Sequence, residues 1–185
     1  MHFKDIPQFI HCNYSVDIGW SYLEEWLAHC EKDCADLQLD PEFQRHHVWD
    51  DYKRTRFVEF ILRGGRSSRN LYFNCPNYTG SGVEGPMQLV DGKQRLEAVR
   101  RYLSSNLPAF GTLFKDMEGR LGMAGPGFKV HVNNLQTQAE VLQWYLDLND
   151  GGVVHTDDEL ARVRHLLEIE TGKAMPDIGV IGRDL

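Results

Sequence analysis

The stretch LVDGKQRLEAVR, Leu89 to Arg100, carries an acid, a glycine, an amide and two cations in five consecutive positions, Asp91 to Arg95. Two apolar residues lead into it and a helical pattern follows. Gly92 would let the backbone turn tightly and let a ligand come close. The unpaired N–H groups of a new helix, with the positive end of its dipole, suit an anion. Asp91 can cap those amides or coordinate a divalent cation that arrives with phosphates. Arg95 lies about one turn further on and offers a planar, multi-donor head. Lys93 adds positive charge, and Gln94 can orient a water or bond a nucleotide. An ordinary capped helix with surface cations has the same local pattern, so the motif alone leaves both readings open.

Two further stretches have the same character. Phe43-Gln44-Arg45 follows the helix-breaking pair Asp40-Pro41, and an amide beside a guanidinium on a loop suits phosphate or base recognition. Phe43 and Trp49 are expected to anchor this loop, and His46 and His47 titrate near neutral pH but read as solvent-facing. Leu148-Asn149-Asp150-Gly151-Gly152 ends a helix with two glycines. It is either a simple left-handed stop or the wall of a polar pocket.

The elements that must position these groups follow from the pattern. Trp20, Leu23, Trp26, Leu27 and Cys30 recur at helical spacing within SVDIGWSYLEEWLAHCEKDCADL, so this stretch reads as an amphipathic helix whose tryptophans belong to the core. A second helix opens at Asp50 or Asp51, closes at Gly64-Gly65 and turns Phe57, Phe60 and Ile61 inward. NLYFNC, PMQLV and FKVHVN read as strands. Helices follow at 92–105, at 137–149 and from a Thr156/Glu159 capping box to about Glu170. Residues 106–127 are glycine-rich and irregular. This is an α+β pattern, with a small mixed sheet flanked by helices. A helical segment is expected over 1–36, the main domain over 37–170 and a tail over 171–185.

Composition limits the function. The net charge of −7 does not suit sequence-independent DNA binding, although Arg54, Arg56, Arg63, Arg66 and Arg69 could form a local basic patch. Four cysteines without a CxxC pair read as reduced thiols in a cytoplasm. His29, Cys30 and Cys34 leave a metal site as the less favoured alternative to Cys30 packing as a small hydrophobe. The first residues show no signal-peptide pattern, and no apolar run approaches the ~20 residues of a membrane span.

Taken together and in order, LDPEFQRHHVW, QLVDGKQRLEAV and LDLNDGGVVHTDDEL resemble the N-terminal domain of GmrSD-type modification-dependent restriction proteins, within the ParB/sulfiredoxin-like superfamily. The resemblance covers about residues 37–168. It implies a domain that binds, and often hydrolyses, a nucleoside triphosphate, with Mg2+ through Asp91. Carried over by position, Asp91, Gln94 and Arg95 would be catalytic. Gln44, Arg45, Gly92, Lys93, Asn149 and Gly151 would bind the nucleotide. Lys93 departs from the family's more common glutamine, and the prolines usual before the strand at Asn70 are missing. The implied partners are a nucleotide and, in restriction or phage defence, DNA or a defence-system protein; a homodimer stays open. A non-enzymatic DNA- or protein-binding module, or a phage-borne inhibitor, is the alternative. A nuclease ranks third, for want of a carboxylate cluster.

Overall fold

The computed structural model describes residues 10, 12, 14–34, 36–44, 49–76, 78, 85–119, 121, 125–150 and 157–172. They fall into two compact units, Met1–Gln136 and Thr137–Leu185.

The first unit is built on a five-stranded mixed sheet of order β1-β5-β3-β4-β2. Its strands are β1 (Tyr14–Gly19), β2 (Leu37–Gln38), β3 (Asn70–Asn74), β4 (Met87–Asp91) and β5 (Gly127–Asn133). β1 runs antiparallel to β5, β5 parallel to β3, β3 antiparallel to β4, and β4 parallel to β2. Three helices accompany it: α1 (Leu23–Cys34), α2 (Asp51–Leu62) and α3 (Lys93–Leu103). The chain is α+β, as its pattern indicates.

Two strands depart from the sequence expectation. The segment before Trp20, read as the start of the first helix, is edge strand β1. Its Val16 and Ile18 alternate with Ser15 and Asp17, and six residues of register with β5 outweigh helical continuation. Two-residue β2 is too short to leave a periodic signal.

The sheet has two chemically different faces, because side chains alternate along a strand. Cross-strand partners place Ile18, Leu71, Phe73, Leu89, Val130 and Val132 on one face. All are buried in one core with residues of α1, α2 and α3. Trp26 meets Phe73 edge-on at 5.5 Å between ring centroids, and Trp20 lies 6.2 Å from Phe128. Both tryptophans are therefore core, as the helical stripe implies. Asp50 caps α2 by accepting from the Lys53 N–H at 2.7 Å, and Gly64 leaves the helix at φ +88°. Phe60 was expected inside but is 44% exposed, and Val58 takes the buried position. The Phe60 ring lies over Gly65, where a Cβ would sit 2.4 Å from it.

The described residues between Asn106 and Pro126 stay largely irregular, with a short 3-10 turn at Phe114–Asp116 and a bridge between Ala109 and Thr112. Leu107 and Ala109 nevertheless enter the core.

The second unit pairs α4 (Gln138–Asp150) with α5 (Asp157–Thr171). A reciprocal cap opens α4. The Thr137 hydroxyl accepts from the Glu140 N–H at 3.2 Å, and the Glu140 carboxylate accepts from the Thr137 N–H at 3.0 Å. The box expected at Thr156 and Glu159 lies outside the described residues. No described helix is long and apolar enough to cross a membrane.

The cysteines follow the core reading. Cys30, Cys34 and Cys75 are buried and reduced, with the Cys34 and Cys75 sulfurs 3.9 Å apart. Burial pushes the Cys30 and Cys34 thiols up to about 12, and that of Cys12 up to about 11. Only a thiolate attacks a disulfide reagent, and at pH 8 a thiol titrating near 12 is about one part in ten thousand thiolate. Native protein is therefore expected to react with dithionitrobenzoate at least about 100-fold more slowly than guanidinium-unfolded protein. A fast-reacting thiol at Cys30 or Cys34 in the native state would contradict this packing.

Candidate functional site at the β4–α3 junction

Strict alternation from Met87 and Leu89 would aim Asp91 into the core. The pairing prevents it. Phe73 pairs with Leu89 but Tyr72 pairs with Asp91, so Val90 is an extra residue in β4. Such a bulge re-aims the side chains beyond it. Asp91 thus shares a side of the sheet with Tyr72, and Gly92 comes down against core residue Leu71. A Cβ on Gly92 would lie 2.4 Å from Leu71 Cδ2.

Gly92 holds φ +109° and is the N-cap of α3, with no side-chain cap on the helix. Its carbonyl accepts from the Leu96 N–H at 2.9 Å. Asp91, a candidate cap in the sequence, does not cap: its carboxylate accepts from the Arg95 guanidinium one turn later. The bulge explains this, because it places the carboxylate on the polar side of the sheet. Both side chains remain partly exposed, and Arg95 Nε is buried with no hydrogen-bond partner.

The loop after Asp40-Pro41 does meet this junction. Gln44 donates to the carbonyl of Leu89, Lys93 pairs with Asp40, and Gln94 accepts the Trp49 N–H at 3.2 Å. Gln44, Lys93 and Gln94 are all less than a tenth exposed. Buried amides and ammonium groups require partners, and here strand, loop backbone and Asp40 supply them. The structure therefore brings the two motifs together while engaging these three side chains in fastening the loop. Among the described side chains of the set at this junction, Asp91 and Arg95 remain partly exposed. Arg45, Gly151, His46 and His47 lie outside the described residues. Asn149 belongs to the second unit, where its side-chain amide donates to the Tyr145 carbonyl at 2.6 Å.

The polar side of the sheet adds residues that the motifs do not contain. Asn70, Tyr72 and Asn74 of β3 lie beside Lys129, His131 and Asn133 of β5. The Tyr72 and His131 rings stack at 4.8 Å and 13°, and the Asn70 side chain contacts both, at 3.3 Å each. Burial, then the Lys129 charge, holds the His131 imidazolium below its ordinary pKa, so the ring is neutral at neutral pH. Burial also raises the Tyr72 hydroxyl, with Cys12 and Asp91 contributing. The signal was present in the alternation of NLYFN and FKVHVN. A polar sheet face and a solvated one leave the same pattern, so sequence could not single it out.

No family model, curated protein or solved structure matches the chain. The case for a function therefore rests on the junction itself. Among the described residues, no three His, Cys, Asp or Glu side chains converge as a metal cage. One carboxylate at an uncapped helix start still fits Mg2+, which keeps several waters and is held by one or two carboxylates plus phosphate oxygens.

Proposed function

We propose that the β4–α3 junction binds the phosphates of a nucleoside triphosphate and promotes their hydrolysis. One observation carries this reading. Gly92 opens α3 in a left-handed conformation with no side-chain cap, and the uncapped turn sits next to the Asp91–Arg95 pair. Helix-start amides and a guanidinium together form a phosphate cradle that carries its own orientation. In the resting state Asp91 neutralises Arg95. Asp91 is the residue that would hold a magnesium ion arriving with the nucleotide, and the ion would supply positive charge beside the phosphates. Arg95 then has its donors for phosphate oxygens, where charge builds during phosphoryl transfer. Gln94 serves this site by tying the Trp49 backbone to the start of α3. A role in restriction or phage defence rests on the ordered sequence motifs alone.

Thermal denaturation with ATP, GTP, CTP and UTP, each with Mg2+, tests the reading. A ligand that binds only native protein raises the melting temperature by mass action; at 100 times its Kd the gain is about 2.7 kcal/mol. At least one nucleotide should raise the melting temperature of wild type and leave Arg95→Ala unmoved. A flat response to all four would exclude the junction as a nucleotide site.

A further inference from the structure

A second concavity lies away from the β4–α3 junction. It has a volume of about 430 Å³ and opens between the end of α2 and the Gly19 and Gly127 ends of β1 and β5. Arg66 and Arg69 line it. Neither has an ion-pair partner among the described residues, whereas Arg54, Arg95, Arg100 and Arg101 are each paired with a carboxylate. Arg69 Nε is moreover buried without a hydrogen-bond partner. A buried, unsatisfied donor on a cation is costly, so its persistence asks for an acceptor.

The walls fit the same demand. Gly19, Gly65 and Gly127 place side-chain-free backbone around the cavity. At Gly127 this is forced, because a Cβ would lie 2.8 Å from the Ile18 carbonyl oxygen. The one carboxylate of the lining, Asp17, is exposed and stands opposite Lys129 in the β1–β5 register, so it has a cation beside it. Two unneutralised guanidinium groups in a concavity focus positive potential, and their planar forks match phosphate oxygens better than an ammonium does. The volume lies within the range of about 300–1,000 Å³ typical of small-ligand sites.

We propose that this cavity is an anion site for a phosphate group, held by the guanidinium groups of Arg66 and Arg69 that line it. The group could belong to a small phosphorylated molecule or to a nucleic-acid backbone. The proposal does not depend on the nucleotide reading of the β4–α3 junction.

The test follows the arginine Nε–Hε resonances of the wild-type chain by NMR during titration with inorganic phosphate, with adenosine monophosphate and with a short DNA duplex. Matched additions of sodium chloride control for ionic strength. The Arg69 Nε–Hε resonance should shift saturably with at least one probe and not with chloride. In Arg66→Ala the midpoint of that shift should weaken about ten-fold, the loss expected for one charge-assisted hydrogen bond. Arg95→Lys should leave the midpoint unchanged, which separates this site from the junction. Saturation by phosphate and the monophosphate identifies a small ligand; displacement of phosphate from Arg69 by the duplex identifies a nucleic-acid backbone. An Arg69 resonance unmoved by all three probes, or one that drifts without saturating, overturns the proposal. So does an Arg66→Ala midpoint equal to that of wild type.

Discussion

Gly92→Ala is expected to lower the stability of the fold by about 2–5 kcal/mol. Two costs add. A residue with a Cβ at φ +109° sits in the left-handed region, which costs about 1–2 kcal/mol. The new methyl would also press on Leu71 Cδ2, 2.4 Å away, and on the Asn70 carbonyl oxygen at 3.3 Å. Leu71 is fully buried in the core, so overpacking adds about 1–3 kcal/mol. Gly64→Ala is the control. Gly64 has φ +88° but open space around its would-be Cβ, so only the conformational cost of about 1–2 kcal/mol applies. Urea unfolding of both variants gives the comparison. Equal losses would mean that the β4–α3 turn does not pack on Leu71 as described. The position thus joins fold to site: the glycine that permits an uncapped helix start is the one that the core requires.

If the β4–α3 junction hydrolyses a nucleotide as proposed, Arg95→Ala reduces kcat/KM by about 100- to 1,000-fold, the usual loss when one donor to developing transition-state charge is removed. Arg95→Lys keeps the charge but loses the fork, and should fall between wild type and alanine. Stability separates catalysis from folding. The Arg95–Asp91 pair is partly exposed, and exposed pairs contribute about 0–1 kcal/mol, so Arg95→Ala should melt close to wild type. Phosphate release under saturating Mg2+ provides the rate. Turnover by Arg95→Ala equal to that of wild type would remove Arg95 from the reaction. An unfolded variant would instead assign the pair a structural role larger than its exposure allows.

The two variants also show how far the sequence could be read. A strand leading through Asp-Gly into a helix is legible because each part has a local cause: β-rich residues, a glycine for the turn and a helical repeat. The same holds for the tryptophan stripe of α1, the Asp50 cap of α2 and the alternation of β5. β1 was not legible as a strand. Its six residues precede a strong helical stripe, and the partner that makes them a strand, β5, lies more than a hundred residues away. Helical spacing marks a face but not its edges, so the spacing that points Phe60 inward does not show that it stays 44% exposed with its ring over Gly65.

Within the site, residue types alone settled that an acid, a glycine and a cation would share one junction, because the chain places them within five positions. Three other matters needed the tertiary structure. The bulge at Val90 decided that Asp91 faces Tyr72 instead of the core, since register depends on the neighbouring strand. The loop from Asp40 to Trp49 decided that Gln44, Lys93 and Gln94 are buried and engaged, since a buried polar group takes whichever partner the fold brings to it. The parallel pairing of β3 with β5 decided that Tyr72 and His131 stack, although they lie far apart in sequence. Local chemistry is written in local sequence. The direction each group points, and whether it is free to act, depends on contacts between residues that the chain separates by tens of positions.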